Sequence, residues 1–134
     1  MIAIDTSVAV AAFASWHEGH RGARLAMERE PRLPAHAALE TFSVLTRLPP
    51  PHRAEPGLVQ GFLAEQFAAP VLTLSARGHH DVLDRLASVD IGGGAVYDAV
   101  IAATALEARV TLLTRDRRAL PVYELMGAEI ELID

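Results

Sequence analysis

Two carboxylates set in otherwise apolar sequence constrain this chain most. Tyr97-Asp98-Ala99-Val100-Ile101-Ala102-Ala103-Thr104-Ala105-Leu106 reads as an apolar helix with one acid in its opening turn. Val110-Thr111-Leu112-Leu113-Thr114-Arg115-Asp116 reads as a buried strand that stops at a second acid. Both segments are oily enough to be buried, yet each carries a charge at its end. A divalent cation in a phosphodiesterase site is the expected reason.

The rest of the chain supplies the frame. Ile2 to Asp5 has strand composition, and Asp5-Thr6-Ser7 offers turn and N-cap chemistry before a helix over Val8 to Ala14. Trp16 to Glu18 breaks the pattern, and a second helix runs from about Glu18 to Arg29. Pro31 to Pro34 is a short extended piece. Leu39, Phe42, Leu45 and Thr46 recur at helical steps between Ala35 and Leu48, until Pro49-Pro50-Pro51 ends the helix. A further helix covers about Glu55 to Ala68. Pro70 to Leu74 is strand-like, and Ser75 caps a helix reaching about Ser88. Asp90-Ile91-Gly92-Gly93-Gly94 is a loop, with the glycines as a hinge before the Asp98 helix. A short segment over Arg117 to Met126 and a last strand over Glu129 to Ile133 complete the chain. The expected fold class is α/β: a mainly parallel central sheet flanked by helices, in one domain over residues 1–134.

Composition narrows the chemistry. There is no cysteine, so thiolate chemistry, disulfides and cysteine-ligated zinc are excluded. All 12 basic residues are arginine, which removes every mechanism that needs a lysine. The net charge is −5, unfavourable for general nucleic-acid binding. If the substrate is RNA, local arginines and a bound cation must supply the attraction. Neither a signal peptide nor an apolar run of the ~20 residues needed for a membrane span is read, so a cytoplasmic location is expected.

Ligands of parallel α/β sheets bind beyond the carboxyl ends of the strands. Asp5 and Asp116 each close a predicted strand, and a helix packed antiparallel on the sheet starts at that same edge, bringing Asp98 with it. Glu40 lies about one and a half turns into its own helix, roughly 7–8 Å along the axis, within reach of the same rim. Singly, each acid has a plain alternative: a helix cap for Asp5, a helix-end charge for Asp98, an Asx-turn for Asp116, a solvated side chain for Glu40. Together they repel, by roughly 4 kcal/mol per pair at ~4 Å and an effective dielectric near 20. Oxygen-only ligands suit Mg²⁺ or Mn²⁺ better than zinc.

Asp5-Thr6-Ser7 after a first strand, Glu40 in an early apolar helix, Asp98-Ala-Val-Ile-Ala-Ala-Thr-Ala and Leu112-Leu113-Thr114-Arg115-Asp116 together resemble a PIN domain. Size and near-complete coverage resemble the VapC-type toxins of type II toxin–antitoxin pairs. The resemblance implies a three-layer PIN-like fold and an Mg²⁺- or Mn²⁺-dependent endoribonuclease. In that reading Asp5 and Asp98 bind metal most directly, Asp116 completes the site, and Glu40 acts through water. Thr114 then positions the last acid. A homodimer and a VapB-type antitoxin that blocks the site are implied partners.

Arg115, Arg117 and Arg118 cluster at the expected rim, where the arginine fork suits phosphate contact, with ordinary surface charge as the alternative. His17-Glu18-Gly19-His20 lacks the spacing of a zinc helix motif, and His79-His80 reads as a solvated pair. Phe13, Trp16 and the apolar helix faces read as core, with part of them available to a dimer or antitoxin surface. Two other functions use similar acids. A receiver-like phosphoacceptor module places Asp residues and Mg²⁺ at strand ends, but normally needs the lysine this chain lacks. A non-catalytic PIN-fold interaction protein has no need of four intact acids.

Overall fold

The computed structural model describes residues 1–134. In chain order it comprises β1 (Ile2–Ile4), α1 (Thr6–Phe13), α2 (His20–Met27), α3 (Ala35–Thr46), α4 (Pro56–Gln66), α5 (Ala76–Ser88), α6 (Ala95–Ala108), β2 (Thr111–Thr114), α7 (Leu120–Leu125) and β3 (Ile130–Leu132). A 3-10 turn over Arg117–Ala119 leads into α7. The strands form one parallel sheet in the order β1-β2-β3. Ala3 lies opposite Leu112, and Leu113 lies opposite Glu131.

Two expected extended pieces join this sheet only at single bridges. Arg32 pairs with Ala3, and Pro34 pairs with Leu72. Strand character at Pro70 to Leu74 is therefore reduced to one residue, Leu72. The cause is local: Pro31, Pro34 and Pro70 have no N–H to donate, so the ladder stops after each contact. The Arg32 bridge is made by Arg32 N–H to the Ile2 carbonyl (2.8 Å) and Ile4 N–H to the Arg32 carbonyl (3.1 Å), and the Leu72 bridge by Leu72 N–H to the Leu33 carbonyl (2.9 Å) and Ala35 N–H to the Leu72 carbonyl (2.8 Å).

With so few aromatics, the core is filled by Ala, Val, Leu and Ile. Ala3, Ile4, Leu112 and Leu113 are fully buried in the sheet, and Val8, Ala9, Ala11 and Ala12 of α1 pack into the same cluster. Helix α6 buries Ala99, Ile101, Ala102, Ala103, Thr104 and Ala105, more than one narrow stripe. Its alanines allow close approach to neighbours, which is why its sequence lacks the amphipathic alternation of a surface helix. Tyr123 is the largest fully buried side chain. No helix is long and apolar enough to cross a membrane.

The turn from α6 into β2 sets the two acid-bearing segments against each other. Arg109 adopts the left-handed conformation at φ 59° and ψ 45°. Its N–H reaches the Leu106 carbonyl (3.0 Å), and the Val110 N–H reaches back to Ala105 (3.1 Å). This is the Schellman pattern, in which glycine is the usual left-handed residue. Arg109 is exposed and makes no side-chain hydrogen bond, so nothing offsets its backbone strain. Arg109→Gly is expected to stabilise the protein by about 1 kcal/mol, a rise of a few degrees in Tm. Thermal unfolding checks this, and a lower Tm would contradict the strain assignment.

Candidate active site at the carboxyl edge of the sheet

Because β1 and β2 are parallel and in register, Asp5 and the Arg115-Asp116 pair leave the sheet at one edge. The Asp5 N–H still bonds the Leu113 carbonyl (3.1 Å), extending the ladder by one rung before α1 begins. Asp5 then caps α1 by accepting from the Val8 N–H (3.2 Å). The plain capping role is thus real, but it occupies only part of the carboxylate. Oδ1 also accepts from the Ser7 hydroxyl (2.6 Å), while Oδ2 accepts from the Thr114 hydroxyl and from the Tyr123 hydroxyl (2.8 Å). Only 2% of Asp5 is exposed. Burial pushes its carboxyl above the usual value, and the four hydrogen bonds oppose that rise without reversing it.

Thr114 ties two acids together. Its hydroxyl donates to Asp5 and accepts from the Asp116 N–H (3.0 Å). Ser7 does similar work, donating to Asp5 while accepting from the Arg115 N–H (2.8 Å). Thr6 donates to Oε1 of Glu40, fixing α3 to the start of α1. Tyr123 is held fully protonated by burial and by the neighbouring Asp5 charge, so it acts as a donor.

An open cleft of ≈ 680 Å³ lies over these groups. Glu40, Asp98 and Asp116 line it, together with the hydroxyl-bearing Thr6 and Ser7. Asp5 lies beneath, outside the lining. Burial, and then the charges of Glu40, Asp116 and Asp5, push the Asp98 carboxyl up to about 6, with Arg118 opposing. Those charge effects place all four sequence-selected acids in one electrostatic neighbourhood. They do not form a ready-made cage, since no group of three or more acids or histidines is arranged to hold a metal ion. Three of the four carboxylates have a restraint of their own: Asp5 its four donors, Glu40 the Thr6 hydroxyl, and Asp116 the Arg118 N–H (2.9 Å) and side chain (3.4 Å).

The donor set still fits a hard cation. It offers carboxylates from three separate elements beside hydroxyls, with His17 as the one imidazole in the lining. Mg²⁺ keeps several waters and takes one or two carboxylates directly, so a closed protein cage is not required.

The arginines divide differently from expectation. Arg115 and Arg118 line the cleft, but Arg117 is exposed and lies outside the lining. Successive side chains in a 3-10 turn diverge by about a third of a revolution, so neighbours cannot share a face. The Arg115 guanidinium packs against Gly19, where an added Cβ would meet its Cζ at 2.1 Å, and its buried Nε has no partner. His17, set aside in the sequence, also lines the cleft. Burial, and then the Arg115 charge, lower its pKa, while its Nδ1 accepts from the Gly19 N–H (2.9 Å). Tyr123 carries no sequence signal beyond being a tyrosine in an apolar segment, whose polar tip needs a partner once buried. Thr6 and Ser7 were visible only as part of the Asp-Thr-Ser turn.

Comparison with known proteins agrees with this geometry. The family model for the PIN domain matches residues 2–125. Ribonuclease VapC40 of Mycobacterium tuberculosis is 52% identical over 133 residues, covering 99% of each chain. The crystal structure of M. tuberculosis VapC20, described as a sarcin-ricin loop cleaving toxin, superposes with a TM-score of 0.72 at 18% identity, over 90% of this chain and 94% of that one. VapBC2 from Rickettsia felis, bound to a DNA fragment from its promoter, gives 0.69 at 14% identity over the whole of both chains. The two structural likenesses speak to the fold, and the full-length identity to VapC40 speaks to the family. The chain belongs to the PIN-domain family and, within it, to the VapC type.

Proposed function

We propose that the protein is the toxin of a type II toxin–antitoxin pair, an Mg²⁺- or Mn²⁺-dependent endoribonuclease acting on cytoplasmic RNA. The observation that carries this reading is the cleft in which Asp98, Asp116 and Glu40 meet above a buried, fully hydrogen-bonded Asp5. The name of the full-length relative, Ribonuclease VapC40, supports it. The Asp98 carboxyl, raised by burial and then by three neighbouring acids in a cleft, fits a functional acid site.

Asp98 and Asp116 would hold the cation directly and Glu40 through water, while Asp5, expected among the direct ligands, would fix the floor beneath them, because hydrogen bonds occupy both of its oxygens. The cation would supply Lewis-acid polarisation of a phosphoryl oxygen and a lowered pKa for attacking water. Thr6 engages Oε1 of Glu40 and leaves Oε2 free to orient that water and accept its proton. Thr114 holds the Asp116 backbone and the Asp5 side chain at a fixed separation, so the acids cannot drift apart. Arg115 and Arg118 are the phosphate contacts.

The antitoxin and dimer surfaces belong to the same proposal. The R. felis neighbour is a toxin–antitoxin complex. Here Leu39 and Phe42 of α3 and Leu58 of α4 are exposed, apolar surface of the kind a partner covers. The receiver-like alternative gains nothing from the site, since no lysine stands beside the acids.

Asp98→Asn is expected to fold as the parent does and to lose metal-dependent RNA cleavage by a hundredfold or more. Gel-resolved cleavage of total RNA with Mg²⁺ or Mn²⁺, against a chelated control, measures this. Cleavage at the parental rate would overturn the assignment.

The raised Asp98 pKa also fixes the sign of a stability effect. Its folded value, about 6, lies above the ordinary 3.8, so Asp98 favours folding when protonated. That contribution is complete below about pH 4 and is lost as pH rises through about 6. In chelator, Asp98→Asn is therefore expected to gain Tm relative to the parent between pH 4 and pH 7. A relative loss over that range would contradict the electrostatic account.

A further inference from the structure

A second concavity lies at the far end of α6 from the acids. It is a groove of ≈ 460 Å³ between α5, α6 and the chain leaving α7, and it shares no lining residue with the acid cleft. Asp98 stands in the first turn of α6, whereas Leu106 and Glu107 stand in the last, about 12 Å further along the axis at ~1.5 Å per residue. The groove is within the range of roughly 300–1,000 Å³ typical of small-molecule sites.

Small residues shape it. Gly78 of α5 lets Leu74 and Glu107 close on the helix, since an added Cβ would meet Leu74 Cδ1 at 2.5 Å and Glu107 Oε1 at 2.8 Å. Ala103 keeps the facing turn of α6 low, and Leu74, Val82, Leu106 and Met126 make the surface apolar. Leu106 leaves 48% of itself in water here.

Three charged side chains line the groove, and they are not equivalent. Glu107 has both oxygens engaged, Oε2 by the Ser75 N–H (2.9 Å) and Oε1 by the Ser75 hydroxyl (2.6 Å). Asp81 and Arg85 are four residues apart on α5, the spacing at which an acid and a base pair across one helical turn. They do not pair here. Arg85 donates from Nη1 to the Leu125 carbonyl (3.0 Å), and the Asp81 carboxylate has neither a hydrogen-bond nor an ionic partner. One free carboxylate and one guanidinium with donors to spare therefore stand a turn apart beside an apolar surface.

We propose that this groove binds a free α-amino acid with a large apolar side chain. The ligand carboxylate takes the Arg85 fork, its ammonium takes Asp81, and its side chain covers Leu106 and the apolar surface beside it. Each ligand charge then meets its opposite. A simple amine or a simple carboxylate would match only one of the two, and a purely apolar ligand neither. The site is separate from RNA cleavage and does not rest on that reading.

L-Phenylalanine, phenethylamine and 3-phenylpropionate share one apolar body and differ in charge. Each is titrated into the full-length, chelator-stripped, isotope-labelled protein and followed by two-dimensional amide NMR. With L-phenylalanine, saturable shifts confined to residues 74–85, 103–107 and 125–127 are expected, half-complete at about 1 mM for a ligand of this size. The two analogues each lose one ionic contact and are expected to bind about fivefold more weakly. Asp81→Asn removes a carboxylate with no partner in the protein, so it is expected to fold as the parent does. It is expected to erase the advantage of L-phenylalanine over 3-phenylpropionate, and Arg85→Gln the advantage over phenethylamine.

No saturable shift at twenty times that concentration would overturn the assignment. So would equal binding of either analogue by the parent, or an unchanged ligand preference in Asp81→Asn. Groove shifts that appear on concentrating the protein alone would put a second copy of the chain there and overturn it as well.

Discussion

The site depends on a carboxylate that water barely reaches. Asp5 is held by donors from three parts of the fold: Ser7 and Val8 at the start of α1, Thr114 at the end of β2, and Tyr123 in α7. A buried charge without partners is strongly unfavourable, while one with all its lone pairs engaged is tolerated and fixes what surrounds it. Here those partners are the segments that carry the other acids. Thr114 leads to Asp116, and the Thr6-Ser7 turn grips Glu40 and the Arg115 backbone. Losing Asp5 would thus disconnect the sheet edge from the residues above it.

Above this floor the opposite tension operates. Asp98, Asp116 and Glu40 share one cleft, and burial, followed by repulsion from the neighbouring acids, raises the Asp98 carboxyl. The fold restrains Glu40 and Asp116 without neutralising them. Thr6 is a neutral hydroxyl, and Arg118, the ion-pair partner of Asp116, is almost wholly in solvent, where such a pair stabilises little. A site that concentrates uncompensated negative charge on rigid elements is preorganised for a cation.

The fold class and the positions of the four acids were legible in the sequence because they follow from simple rules. Short apolar runs alternating with helices imply a parallel sheet, and such sheets gather strand-end residues at one edge. Asp5, Asp98 and Asp116 needed only that. Other features needed three dimensions. Pro70 to Leu74 has strand composition, but proline spacing limits it to one bridge. Arg117 and Arg118 are indistinguishable in sequence, and only the 3-10 turn decides which faces the cleft. Tyr123 supplies a donor to Asp5 from 118 positions away, a contact no local pattern encodes. Trp16 misled for a physical reason: a lone tryptophan among alanines resembles core, whereas its stacking on His52 is a surface arrangement.

The central claim is that a hard divalent cation completes the acid cluster, and calorimetric titration of the chelator-stripped protein with Mn²⁺ tests it most directly. Repeating the titration in two buffers of different ionisation heat reads proton release as well. The account expects saturable binding that raises Tm, with protons released near pH 6, where Asp98 is partly protonated, and few at pH 8. No binding heat and no change in Tm at millimolar Mn²⁺ would contradict it.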